Sequence, residues 1–222
     1  MASILCIETS TINCSVSICQ GNLSICSKED FSNGYSHAEQ LHVFIEEVVR
    51  QSKINVHDLD AIAVGEGPGS YTGLRIGVSS AKGLSYVLKK PLIAVPTLET
   101  LARQVNTTRG YIVPMLDARR LEVYSSVFDN QYHSLQNTEA KILDEHSYQE
   151  YLNKDKVYFV GDGVKKFKSI CIHPNAVFIE DKLPSAREML TIAVDKYYKQ
   201  EFVDVAYFEP YYLKDFVINR AS

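Results

Sequence analysis

Val64-Gly65-Glu66-Gly67-Pro68-Gly69-Ser70-Tyr71-Thr72-Gly73-Leu74-Arg75-Ile76-Gly77 joins the end of an apolar run to the start of a helix. The glycines at 65, 67 and 69, beside Pro68, allow a tight loop and let another segment or a ligand come close to the main chain. The spacing excludes the standard phosphate loops. A Walker loop needs Gly-Lys-Ser/Thr after its last four variable residues, but Leu74 follows Gly73 and no lysine occurs before Lys82. A dinucleotide fingerprint begun at Gly65 would want glycine where Ser70 stands, and a nucleophile elbow on Ser70 fails because Pro68 and Thr72 flank it.

Downstream, Gly73, Gly77, Ala81 and Ser85 form a small-residue stripe at i, i+4 spacing. Arg75, Ser79, Lys82, Tyr86 and Lys89 form the one polar stripe, and apolar residues cover the rest. A helix apolar on several faces packs on more than one side, against an internal neighbour or a partner. A second amphipathic helix is expected over 37–52, with Ala38, Leu41, Phe44, Ile45, Val48 and Val49 at helical period and Ser36 as N-cap. The two helices could meet the same pair of a second chain. On that reading a bulky charge at Gly77 breaks the pairing and leaves the fold intact.

The chain has 222 residues, 45% of them hydrophobic, which supports a substantial core, and its net charge of -4 argues against a large independent nucleic-acid surface. The first apolar run, Ile4 to Ile7, is too short for a signal peptide or a span, so cytoplasmic residence without membrane contact is expected. Cys6, Cys14, Cys19, Cys26 and Cys171 form no C-x-x-C pair and read as reduced thiols, without zinc or disulfides.

Strands and helices alternate in two similar passes. The first runs through strands 3–8, 14–20 and 23–27, helix 37–52, strand 59–64, the glycine-bearing helix, strand 92–95 and helix 98–105. The second runs through strands 111–116, 122–128 and 132–135, a short helix near 147–152, strands 157–160 and 176–179, and helix 185–199. Glu8 and Asp117 each end a first strand, and Val64-Gly65-Glu66-Gly67 recurs as Val160-Gly161-Asp162-Gly163. This is a duplicated α/β unit, with lobes at 1–106 and 107–200 and a tail at 201–222 that could pack on the first lobe. Such lobes meet at a cleft where Glu8, Thr9, Ser10, Gly161, Asp162 and Gly163 are candidates to face a nucleotide. A plain turn is the competing reading of Gly161-Asp162-Gly163.

Ile4-Leu5-Cys6-Ile7-Glu8-Thr9-Ser10, Ser36-His37, the segment from Gly67 to Gly77, Ala81-Lys82-Gly83-Leu84, Pro96-Thr97-Leu98-Glu99, Asp117-Ala118-Arg119, Glu122-Val123-Tyr124 and Pro210-Tyr211-Tyr212-Leu213-Lys214 resemble the TsaB, or YeaZ-type, family. The resemblance spans nearly the whole chain and implies the two-lobed actin/sugar-kinase-like (ASKHA) fold, each lobe a mixed sheet with flanking helices. It implies a non-catalytic subunit, without cofactor or metal, for N6-threonylcarbamoyladenosine formation in tRNAs reading codons that begin with A. The partners it implies are a catalytic TsaD-type paralogue and a TsaE-type ATPase, with tRNA reached only through the complex and a homodimer possible alone. The interface it implies lies on the two first-lobe helices, at His37, Leu41, Ile45, Val48, Gly69, Tyr71, Gly73, Gly77 and Ala81.

The residues agree with a loss of chemistry. The catalytic relative holds metal with two histidines one helical turn apart, whereas His37 and His42 are five apart, with Leu41 where the second ligand would stand. Many family members carry Asp where Glu8 stands. An ATP-dependent small-molecule kinase of the same fold is the alternative. It would need Mg²⁺ on Glu8, Asp117 and Asp162. A peptidase lacks a nucleophile with an adjacent base.

Overall fold

The computed structural model describes residues 1–31 and 37–214. The expected N-cap Ser36 and the basic tail residue Arg220 lie outside them. β1 (Ser3–Glu8) is the centre of a first sheet, paired antiparallel with β2 (Cys14–Gln20) and parallel with β4 (Ala61–Gly67). β3 (Leu23–Asp30) and β5 (Leu92–Pro96) are its edges, giving the order β3-β2-β1-β4-β5.

The second sheet repeats this plan. β6 (Tyr111–Asp117) pairs antiparallel with β7 (Glu122–Asp129) and parallel with β9 (Val157–Val160), and β8 (Ser134–Ile142) and β10 (Ala176–Ile179) are the edges. Its order, β10-β9-β6-β7-β8, maps strand for strand onto the first. The β2–β3 turn at Gly21-Asn22 and the β7–β8 turn at Asp129-Asn130 fall in the gaps between the expected strands. β8 instead runs well past the expected 132–135, because its half-exposed polar residues hide the period-2 alternation.

All six residues of β1 are buried, so both faces of the first sheet need cover. α1 (His37–Ser52) and α2 (Tyr71–Leu88) cover one face, packing Leu41, Ile45, Val48, Val78 and Ala81 on Leu5, Ile7, Val16, Ile62 and Val64. The other face presents Ile4, Cys6, Ala61, Ala63, Ile93 and Val95, and α6 (Leu190–Tyr198) closes it with Met189, Leu190, Ala193 and Val194. The lobe expected at 107–200 thus includes a segment that packs on the first sheet. The segment from Pro184 to Tyr198 returns to the first lobe, since α1 and α2 share one face and leave the other apolar. Asn13 Nδ2 donates to Pro184 O at 3.0 Å and Ala186 N donates to Ser15 Oγ at 3.0 Å along this seam.

The second sheet packs one face on α4 (Gln149–Leu152) and α5 (Val164–Lys168), around Tyr148, Phe159 and Phe167. Its other face meets α3 (Thr97–Ala102), which sits between the two sheets through Leu98, Leu101 and Ala102. All five cysteines are free thiols, and four are buried. Among the described residues no helix is long and apolar enough to cross a membrane.

Candidate functional site

The turns after β1 and after β6 hold equivalent places at the strand ends of the two sheets. The first turn is fastened from every side. Thr9 Oγ1 donates to Gly73 O at 2.7 Å, Ser70 N to Ser10 O at 2.6 Å, and His37 Nε2 to Thr11 O at 2.5 Å. The glycines of α2 make this approach possible. A Cβ at Gly73 would stand 2.1 Å from Thr9 O, one at Gly77 would stand 2.2 Å from Thr9 Oγ1, and Gly69 abuts Ser10 O in the same way. Thr9 and Ser10, expected at a nucleotide, and His37, Gly69, Gly73 and Gly77, expected at a partner, thus form one internal lock.

Leu41, Ile45, Val48 and Ala81 also face the sheet, at 8% exposure or less. The solvent-exposed face is the opposite one. It carries Val43 on α1 and Tyr86 and Val87 on α2, 51–79% exposed, with open space where a Cβ at Gly83 would stand. His42 and Ser80 meet across the two helices at 3.4 Å. Tyr71, half-buried, lies with its ring centre 5.0 Å from that of Tyr212 and 4.2 Å from the Arg75 guanidinium.

Glu8 is fully buried. Its Oε1 accepts from Ser10 N at 2.8 Å, and its Oε2 has no hydrogen-bond partner among the described residues. The carboxyl lies under Gly65, where a Cβ would come within 2.4 Å of Oε2. Burial raises its pKa, because desolvation opposes the charged form, while the bonds from Ser10 and Thr9 act the other way.

In the second lobe Asp117 is exposed, but its Oδ1 is occupied. Lys166 Nζ from α5 reaches it at 2.7 Å and Arg119 N donates to it at 2.6 Å. Asp162 accepts the Asp117 N–H at 2.9 Å, and burial raises its pKa too. Gly161, at φ +127°, and Gly163, which donates to Met115 O at 3.1 Å, tie the end of β9 to β6. A nucleotide-bound divalent ion needs carboxylate oxygens open to it, and of Glu8 and Asp117 only Oδ2 of Asp117 is left open. One acid is sealed beneath the backbone and the other already holds an ammonium. Among the described residues no three His, Cys, Asp or Glu side chains gather to hold a metal.

Sequence reasoning missed the role of the polar stripe on α2. Lys82 Nζ donates to Ala206 O at 3.2 Å and Phe208 O at 2.9 Å, and Arg75 Nε donates to Tyr212 Oη at 3.2 Å. With Val203 N on Leu92 O and Tyr211 N on Glu66 O, residues 203–212 strap the first lobe. Lys214 then pairs with Glu122 of the second. The signal was the placing of Arg75 and Lys82 two turns apart on one face of a mostly uncharged helix.

The repeated five-stranded sheets, with their equivalent strand-end turns, define a two-lobed protein of the actin and sugar-kinase class. The family model of TsaD, tRNA N6-adenosine threonylcarbamoyltransferase, matches residues 33–222. The chain is 30% identical to the tRNA threonylcarbamoyladenosine biosynthesis protein TsaB of Escherichia coli (strain K12), over 96% of this chain and 94% of that one. YeaZ from Pseudomonas aeruginosa shares the fold with a TM-score of 0.85 at 24% identity, over 96% of this chain and 100% of that one. The activator of 2-hydroxyisocaproyl-CoA dehydratase from Clostridium difficile, solved with bound ADPNP, is more distant. Its TM-score is 0.50 at 12% identity, over 90% of this chain and 96% of that one. The chain therefore belongs to the TsaD-related family of tRNA threonylcarbamoyladenosine proteins, in its TsaB (YeaZ-type) branch.

Proposed function

We propose that this chain is a non-catalytic subunit for N6-threonylcarbamoyladenosine formation in tRNA, acting by supporting a catalytic TsaD-type paralogue. One observation carries the loss of chemistry. The two equivalent strand-end acids, Glu8 and Asp117, are closed by burial and by Lys166. The same geometry weighs against the kinase reading, which needs both acids on Mg²⁺. Support for the partner comes from the apolar side chains Val43, Tyr86 and Val87 on the outer faces of α1 and α2. A TsaE-type ATPase completes the assembly by family resemblance.

The test is tRNA threonylcarbamoylation by the purified paralogue, the ATPase and an adenylate-forming enzyme, with and without this chain. Modification that depends on the chain, with no ATP turnover by the chain alone, is the expected result. Full modification in its absence overturns the reading. Val87→Glu should weaken pairing with the paralogue by tenfold or more, on the order of 1.4 kcal/mol, in a pull-down or calorimetric titration.

A further inference from the structure

The hairpin between β6 and β7 carries Arg119 and Arg120 at its tip, both exposed and both in the left-handed region, at φ 70° and 51°. Hairpin turns of this kind are normally built from glycine, asparagine or aspartate, because a Cβ is disfavoured there. Two adjacent arginines are therefore kept in a conformation that opposes them. Their charges are also left open. The acids on either side, Asp117 and Glu122, are each taken by a lysine from elsewhere in the chain, Lys166 of α5 and Lys214 just beyond the strap. Neither guanidinium has an ion pair among the described residues. A chain of net charge -4 thus presents two unpaired positive charges side by side on the β6–β7 hairpin.

We propose that Arg119 and Arg120 form a phosphate-binding tip that contacts the RNA backbone directly. The proposal rests on the tRNA-modification reading, and goes beyond it in giving this chain its own contact with the substrate. A guanidinium offers planar, paired donors that match phosphate oxygens, and two on one rigid hairpin can reach successive phosphates of a strand. The lysines at the base of the tip serve the same end. By neutralising Asp117 and Glu122 they stop the arginines from folding back onto their own hairpin.

The test uses the full chain alone, so it does not depend on whether the paralogue pairs with it. Arginine Nε–Hε resonances are followed by NMR while unmodified tRNA is added, with polyglutamate of matched charge in a parallel titration. Arg119 and Arg120 are expected to shift with tRNA, and exposed Arg109 in the connection between the lobes is expected not to. The affinity should fall with salt at a log–log slope of about -1.4 to -1.8, the range for two neutralised phosphates. The double variant R119G/R120G should weaken binding by at least about tenfold. Its melting temperature should be unchanged or higher, since glycine accepts both left-handed positions. R119K/R120K should keep most of the salt dependence. Absence of any tRNA response overturns the proposal, as does an equal or stronger response to polyglutamate, which would mark the tip as a site for an acidic protein surface. Failure of the reconstituted modification assay would strike the subunit reading and leave this titration standing.

Discussion

The turns after β1 and after β6 hold the same place in two copies of one sheet, yet each holds its carboxylate differently. Glu8 is removed from water, kept under Gly65 with no counter-charge, so its cost is one of desolvation. Asp117 stays near the surface and is answered by Lys166, with side chains 43% and 18% exposed. A duplicated scaffold thus settles its two strand-end acids by unrelated physical routes, burial in one lobe and ion pairing in the other. They should respond in opposite ways to pH and salt.

The largest effect tests the lock around the first turn. Gly77→Arg should destabilise the fold by more than about 3 kcal/mol, read as loss of the cooperative urea transition. A folded Gly77→Arg protein that fails only in partner binding would return the glycine stripe to the interface and break the comparison.

The next effect separates the two acids. Since burial raises the Glu8 pKa above its unfolded value, the folded state holds that proton to higher pH than the unfolded chain does. Stability from this group is therefore fully present below the unfolded value and declines as pH rises through the folded one. Glu8→Gln should flatten that decline, so urea midpoints of variant and wild type should diverge as pH rises above the ordinary carboxylate range. Parallel midpoints would mean that Glu8 is not kept from ionising by the fold.

The smallest effect belongs to the ion pair. Lys166→Met should cost no more than about 1 kcal/mol, discounted for the partly exposed Asp117. The difference from wild type should shrink in 1 M salt. A loss of several kcal/mol, insensitive to salt, would show that Lys166 acts by packing, and the contrast between the lobes would fall.

Much of this architecture was legible in the chain. The strand-turn-strand repeats and the paired Val-Gly-acid-Gly segments disclose the duplication, because turn residues and buried strands are local signals. The lock was visible only in half. Gly69, Gly73 and Gly77 announce a close approach, but periodicity cannot say whether the approaching backbone is Thr9 of the same chain or a helix of another. Leu41, Ile45 and Val48 carry the same ambiguity, since an apolar stripe records burial without naming what buries it. The return of α6 was hidden for a further reason. Leu190, Ala193 and Val194 fit a cover for either sheet, and only the uncovered face formed by Ile4, Ala61 and Val95 decides between them. The Lys82 contacts with the strap join residues more than a hundred positions apart, beyond any local pattern.

The late arrival of α6 also has a meaning in time. The first sheet is complete when Pro96 has been added, but its second face is sealed only by Leu190–Tyr198. At ordinary rates of synthesis that is a delay of roughly 5–20 s. During that interval a face lined by Ile4, Cys6, Ala63 and Val95 stands open on the ribosome, while the second lobe acquires all of its own strands. The part of the molecule made first is thus the last to be finished, and a chain truncated before its final helix is left with a greasy sheet that chaperones and proteases can recognise.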